Sequence, residues 1–190
     1  MRGLLRESGR SMSSPYISAR GRLSGTRIAA RTAISVDEAA LAAAPGSPGR
    51  IATTQWLDRL IRATLAGRLT EAALLRFGDN CYYLPSRREL ALILRESQAD
   101  RKAHMLERYD CDDFAYAIKG EMTAHAYDTG ELRYGLCVGL AWGRFDWMTT
   151  EAHAVNWAIT SDESVWFIEP QTDDIYPFER CLGGIRLLLV

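Results

Sequence analysis

The chain has 190 residues, 47% of them hydrophobic, and a formal net charge of −1, which suits one domain with a packed core and leaves no room for two independent enzyme domains. A balance so close to zero speaks against a surface built to neutralise phosphate, so no nucleic-acid partner is expected. No run approaches the roughly 18 apolar residues of a membrane helix, and the start lacks the apolar core of a secretory signal, so a soluble cytoplasmic protein with no membrane partner is expected.

Residues 1 to 50 read as a disordered tail rich in Arg, Ser and Gly. Seven arginines stand against Glu7 in the first 36 residues, a balance of +6 that leaves −7 for the remainder. With few large apolar residues at any regular period, this stretch has little to bury. The domain is expected over residues 51 to 190. Its four cysteines, Cys81, Cys111, Cys137 and Cys181, form neither a C-x-x-C pair nor a dense framework, which favours a reducing compartment.

Trp56, Leu57, Leu60, Ile61 and Leu65 recur at helical spacing, with Thr53 or Thr54 as the cap of a first core helix. A short second helix is expected from Thr70 through Leu74, Leu75 and Phe77 to a stop at Gly78. Asp79 to Pro85 reads as an extended connector. Ser86 and Glu89 form a capping box ahead of Leu90, Ile93 and Leu94, predicting a third helix to about Ala99. Phe114, Ala115, Ile118 and Met122 then continue from Cys111 as one buried stripe, which places Cys111 at a helix start. Period-two or short apolar runs follow at Leu136 to Trp142, His153 to Thr160, Val165 to Glu169 and Ile185 to Val190. Helices first and an antiparallel sheet later give an α+β expectation.

A cysteine, a histidine and a carboxylate appear in the order a thiol nucleophile, its base and an orienter require. A helix start favours a thiolate at Cys111, whereas Asp110, Asp112 and Asp113 disfavour it; the competing role for Cys111 is a small buried hydrophobe. His153 shares a strand face with Val155, Trp157 and Ile159, a placement that suits either a general base or a satisfied core histidine. Glu169 ends a strand whose alternate positions are apolar, so its carboxylate needs a partner. If Thr160 pairs with Ser164 across the turn, His153 falls opposite Gln171 and diagonal to Glu169 on one face. If Thr160 pairs with Val165, Glu169 falls opposite Asn156 instead. Gln171 and Asn156 are therefore the secondary candidates for orienting the imidazole.

The segments Asp-Cys-Asp-Asp-Phe-Ala, His-Ala-Val-Asn and Ile-Glu-Pro-Gln-Thr-Asp resemble a group of bacterial and phage proteins related to the C-terminal domain of a fungal agglutinin. That resemblance implies a papain-like or transglutaminase-like fold, with Cys111 as nucleophile, His153 as base and Glu169 as orienter. It also implies calcium or manganese as cofactor, held by Asp112 and Asp113. The expected activity is a cysteine peptidase cleaving peptide or isopeptide bonds in a protein or peptide substrate through an acyl-thioenzyme, or, with an amine acceptor, transglutaminase-like acyl transfer. A different class of reading is a non-catalytic structural or binding module of a phage or mobile element that retains the fold.

Overall fold

The computed structural model describes residues 49–148 and 152–190; the expected tail lies outside these residues except for its last two positions. Eight strands and three α-helices are described: β1 (Arg50–Thr53), α1 (Thr54–Thr64), β2 (Leu69–Arg76), β3 (Cys81–Leu84), α2 (Arg87–Glu96), α3 (Cys111–Asp128), β4 (Val138–Phe145), β5 (His153–Ile159), β6 (Val165–Glu169), β7 (Asp174–Pro177) and β8 (Cys181–Leu189).

Local chemistry accounts for the helices. Thr53 caps α1 by accepting the Trp56 N–H, and Ser86 with Glu89 closes the capping box of α2, each satisfying N–H groups that a helix start leaves without partners. At α3 the Asp113 carboxylate reaches back to the Asp110 N–H at 3.1 Å. The stripe Phe114, Ala115, Ile118 and Met122 is buried as its spacing predicts.

The larger sheet has the strand order β2-β8-β4-β5-β6-β7, and β1 pairs with β3 in a separate two-stranded ribbon. This corrects the expectation of N-terminal helices followed by an antiparallel sheet. Strands β1, β2 and β3 alternate with the helices, and β2 runs parallel to β8, so the large sheet is mixed. The segment expected to be a second helix is β2, because Leu75 buries against the core while Leu74 faces outward, a period of two rather than 3.6. The Asp79 to Pro85 connector contains β3, whose alternation of half-buried and buried residues is that of a strand packed on one side. β7 was not anticipated at all.

Side chains leave β5 alternately toward two layers. Val155, Trp157 and Ile159 pack with Leu57, Ile61 and Leu65 of α1 and its following turn, and with Tyr82 and Leu84 of β3. On the other face, Ala158 packs with Leu90 and Leu94 of α2 and Ile118 and Met122 of α3, and Ala154 packs with Ala115. Trp157 is wholly buried and its indole N–H donates to the Leu140 carbonyl at 3.0 Å, so the largest core side chain also meets its one polar requirement. No described helix is long and apolar enough to cross a membrane.

β4 runs at the sheet centre and depends on a glycine. A Cβ at Gly139 would lie 1.9 Å from the Leu189 carbonyl oxygen and 2.8 Å from the Trp157 indole nitrogen, and both obstacles are fixed by the sheet. Gly139→Ala is expected to destabilise the fold by about 2–3 kcal/mol through forced displacement of β8, read as a lower urea midpoint with an unchanged m-value.

Candidate functional site

The turn between β5 and β6 sets the register. The Thr160 N–H donates to the Ser164 carbonyl at 3.0 Å and Ile159 pairs with Val165, so the first of the two anticipated pairings is formed. His153 and Glu169 consequently share the face that looks toward Val155 and Phe167. Asn156 lies opposite Ile168.

His153 Nε2 and Glu169 Oε2 are 2.8 Å apart, and the two residues are 3% and 4% exposed. A carboxylate so deeply placed needs several donors, and it has them: the Trp147 indole N–H reaches Oε2 at 3.1 Å and the Gln171 N–H reaches Oε1 at 3.3 Å. Trp147 is held in turn by a stack on Tyr176 at 4.1 Å, and Arg180 lies over both rings while pairing with Asp146. Gln171 therefore supports Glu169 through its backbone N–H. Trp147 was missed by sequence reasoning; the clue was an isolated tryptophan just past a strand, whose indole needs an acceptor when buried.

Asn156 has a different task. Its amide donates to the Ala115 carbonyl at 2.9 Å and to the Gly139 carbonyl at 3.1 Å, tying α3 to β4. It does not touch the imidazole, which removes it as an orienter.

Cys111 opens α3 and packs beside Ala115, Leu140, Ala154 and Trp142. Burial, followed by the charges of Asp110 and Asp112, pushes its thiol above the ordinary value, with backbone N–H groups of Ala154 and Asp112 acting in the opposite sense. Ala154 and His153 leave β5 on opposite faces, Cys111 lies on the Ala154 side, and no hydrogen bond joins Cys111 to His153 among the described residues.

The acidic neighbours divide their work. Asp110 and Asp112 share a hydrogen bond that raises Asp112 and lowers Asp110. Ligand atoms of Asp110, Cys111 and Asp112 lie within 4.8 Å of one another. Two converging carboxylates suit a hard cation, whereas Asp113, expected as a ligand, is engaged by the helix cap.

A groove of about 690 Å³ opens beside this region, lined by Thr70, Trp142, Arg144, Arg186 and Leu187 over the backbone of Gly143 and Gly184. Trp142 is half-buried and meets Tyr116 of α3 edge-on at 6.2 Å. Both arginines are exposed. These residues come from β2, β4 and β8, and no local motif unites them; Arg186 interrupting an apolar run was the available signal.

Residues 82–175 match the family model described as "Agglutinin C-terminal", and over that stretch the chain is related to this domain. Two solved structures share the fold. A PSL1a–E64 complex superposes with a TM-score of 0.64 at 22% identity, covering 74% of this chain and 51% of that one. The lectin of Polyporus squamosus, bound to the human-type influenza-binding epitope Neu5Aca2-6Galb1-4GlcNAc, superposes with a TM-score of 0.57 at 22% identity, covering 74% and 49% respectively. The chain thus spans about half the length of each. No curated protein matches the sequence.

These neighbours correct the papain-like and transglutaminase-like fold expectation, and with it the readings as a cysteine hydrolase or acyl-transfer enzyme. One of the solved folds that match is a lectin holding a glycan, and at 22% identity the likeness is one of fold.

The turn that carries Gln171 also carries a pH-sensitive carboxyl. Burial, then the charges of Asp100, Glu121 and Asp174, push Asp173 up to about 7, and its Oδ1 is buried without a hydrogen-bond partner among the described residues. A carboxyl raised in the folded state contributes stability that is full below the unfolded value near 3.8 and lost as pH rises through about 7. The melting temperature is expected to fall between pH 5 and pH 8. Asp173→Asn, which keeps a residue tolerant of the observed φ of 58°, should raise the value at pH 8 and flatten the profile in calorimetry.

Proposed function

We propose that the domain is a non-catalytic binding module whose ligand is a carbohydrate held in the groove between β4 and β8. The observation that carries this reading is the juxtaposition of Trp142 with Arg144 and Arg186 over a floor made of Gly143 and Gly184. A half-exposed indole offers a flat apolar surface to the C–H face of a pyranose ring, and guanidinium groups donate to hydroxyls or to a carboxylate with fixed geometry. The glycine floor lets a ligand approach the backbone closely. A volume of about 690 Å³ lies within the range of small-ligand clefts. Two exposed arginines favour a sugar that carries a carboxylate.

The buried His153–Glu169 pair is, in this reading, a rigid support for the neighbouring rim at Ala152. Asp110 and Asp112 would hold a calcium or manganese ion, the cofactor implied by the sequence resemblance, and the ion would stiffen the start of α3. Four free thiols suit a cytoplasmic setting, and the bacterial or phage origin implied by the resemblance suits a module working within a larger assembly.

Calorimetric titration of the full chain with sialylated and neutral trisaccharides tests the reading. The sialylated glycan should bind and be recovered unchanged. Trp142→Ala should lower affinity tenfold or more, and Arg144→Ala or Arg186→Ala should remove the preference for the acidic sugar. Added calcium should tighten binding in the natural chain and have no effect in Asp112→Asn. Equal binding by Trp142→Ala, or no binding of any glycan, would rule the groove out.

A further inference from the structure

A second cavity shares no lining residue with this groove and stands independently of the carbohydrate reading. About 250 Å³ in volume, it is bounded by Lys119, Met122 and Ala126 of α3, Tyr82 of β3, Leu136 ahead of β4, and Val190 after β8. Its lining is largely apolar, with four polar side chains, Asp79, Tyr82, Lys119 and Thr123, of which Lys119 and Tyr82 have a donor hydrogen to offer.

Lys119 is the first. Its ammonium donates to the Val138 carbonyl at 2.8 Å and forms no ion pair among the described residues, so two of its three N–H groups remain for another acceptor. Burial lowers its pKa, with the charge of Asp79 acting against that. The cavity thus holds a half-buried cation without a counter-anion in contact, an arrangement that costs free energy until an anion arrives.

Tyr82 is the second. It is 2% exposed, and its oxygen accepts the Asp79 N–H at 2.8 Å and a further N–H from Gly78. Its own hydrogen has no acceptor among the described residues. Thr123, which also borders the cavity, has already given its hydroxyl hydrogen to the Lys119 carbonyl at 2.9 Å.

We infer that this cavity binds a short-chain aliphatic monocarboxylate, with the carboxylate between the Lys119 ammonium and the Tyr82 hydroxyl and the alkyl chain against Met122, Ala126 and Leu136. One ammonium and one hydroxyl donor match the two oxygens of a single carboxylate. The apolar remainder accepts a chain of about four to six carbons at the volume available. Asp79 borders the same space, and an inward rotation of its side chain to pair with Lys119 is the competing arrangement.

Hexanoate, butyrate and the neutral hexanamide are titrated into the full chain, with calorimetry and melting temperature as readouts. Hexanoate is expected to bind saturably and raise the melting temperature, and hexanamide to bind at least tenfold more weakly. Lys119→Met should weaken hexanoate at least tenfold and Tyr82→Phe about fivefold. Ala126→Phe should fill the space and abolish binding, and this variant serves if Lys119→Met fails to fold. Trp142→Ala should leave hexanoate binding unchanged, which separates this site from the carbohydrate groove. The inference is overturned if hexanoate does not bind, if hexanamide binds equally well, or if Ala126→Phe still takes hexanoate.

Discussion

A buried carboxylate imposes the strictest local constraint in this domain. Glu169 is 4% exposed, and such a group is tolerated only when its oxygens are fully engaged. His153, Trp147 and the Gln171 N–H meet that need together, and each partner fixes a different piece of chain. His153 locks the β5–β6 register, since a slip of one residue would move Glu169 to the opposite face. Trp147 pins the segment after β4 through its stack on Tyr176. Gln171 holds the turn into β7. The rim of the groove at Ala152 is adjacent to the first of these anchors.

From that constraint the division of the sheet follows. The face carrying His153, Val155 and Trp157 is sealed by α1 and the β1–β3 ribbon, while α2 and α3 pack on β4, β5, β6 and β7 on the other face. The strands β8 and β2 are left with half-exposed apolar residues, Leu74 at 50% and Leu189 at 36%. Trp142 and Tyr116 stand at the boundary between the covered and uncovered parts. A ligand surface at that boundary needs no separate device, because the short α-layer leaves it open.

Helix starts were legible in the sequence because they depend on residues three or four apart: Thr53, Ser86 with Glu89, and the stripe from Cys111 to Met122. β2 was misread because Thr70, Leu74 and Phe77 satisfy a helical spacing as well as a strand, and what decides between them is the pairing with β8 more than a hundred residues away. β7 is four residues long within a polar stretch, too short for a period. The hairpin offered two registers, and the burial requirement of Glu169 chooses one of them. The groove was invisible for a related reason: Thr70, Trp142 and Arg186 meet only after β8 inserts between β2 and β4. At Cys111 the helix-start spacing was the legible feature, and the thiol, raised by burial first and then by the charges of Asp110 and Asp112, lies beside Ala154.

The claim that the β4–β8 groove is a carbohydrate site is tested most directly by nuclear magnetic resonance on the isotope-labelled chain during addition of a sialylated trisaccharide. The shifts should move in a saturable way at the Trp142 indole N–H and at the Gly143 and Gly184 amides, with the His153 ring signals unchanged and no new glycan species formed. Movement confined to Cys111 and His153, or the appearance of cleaved product, would contradict it.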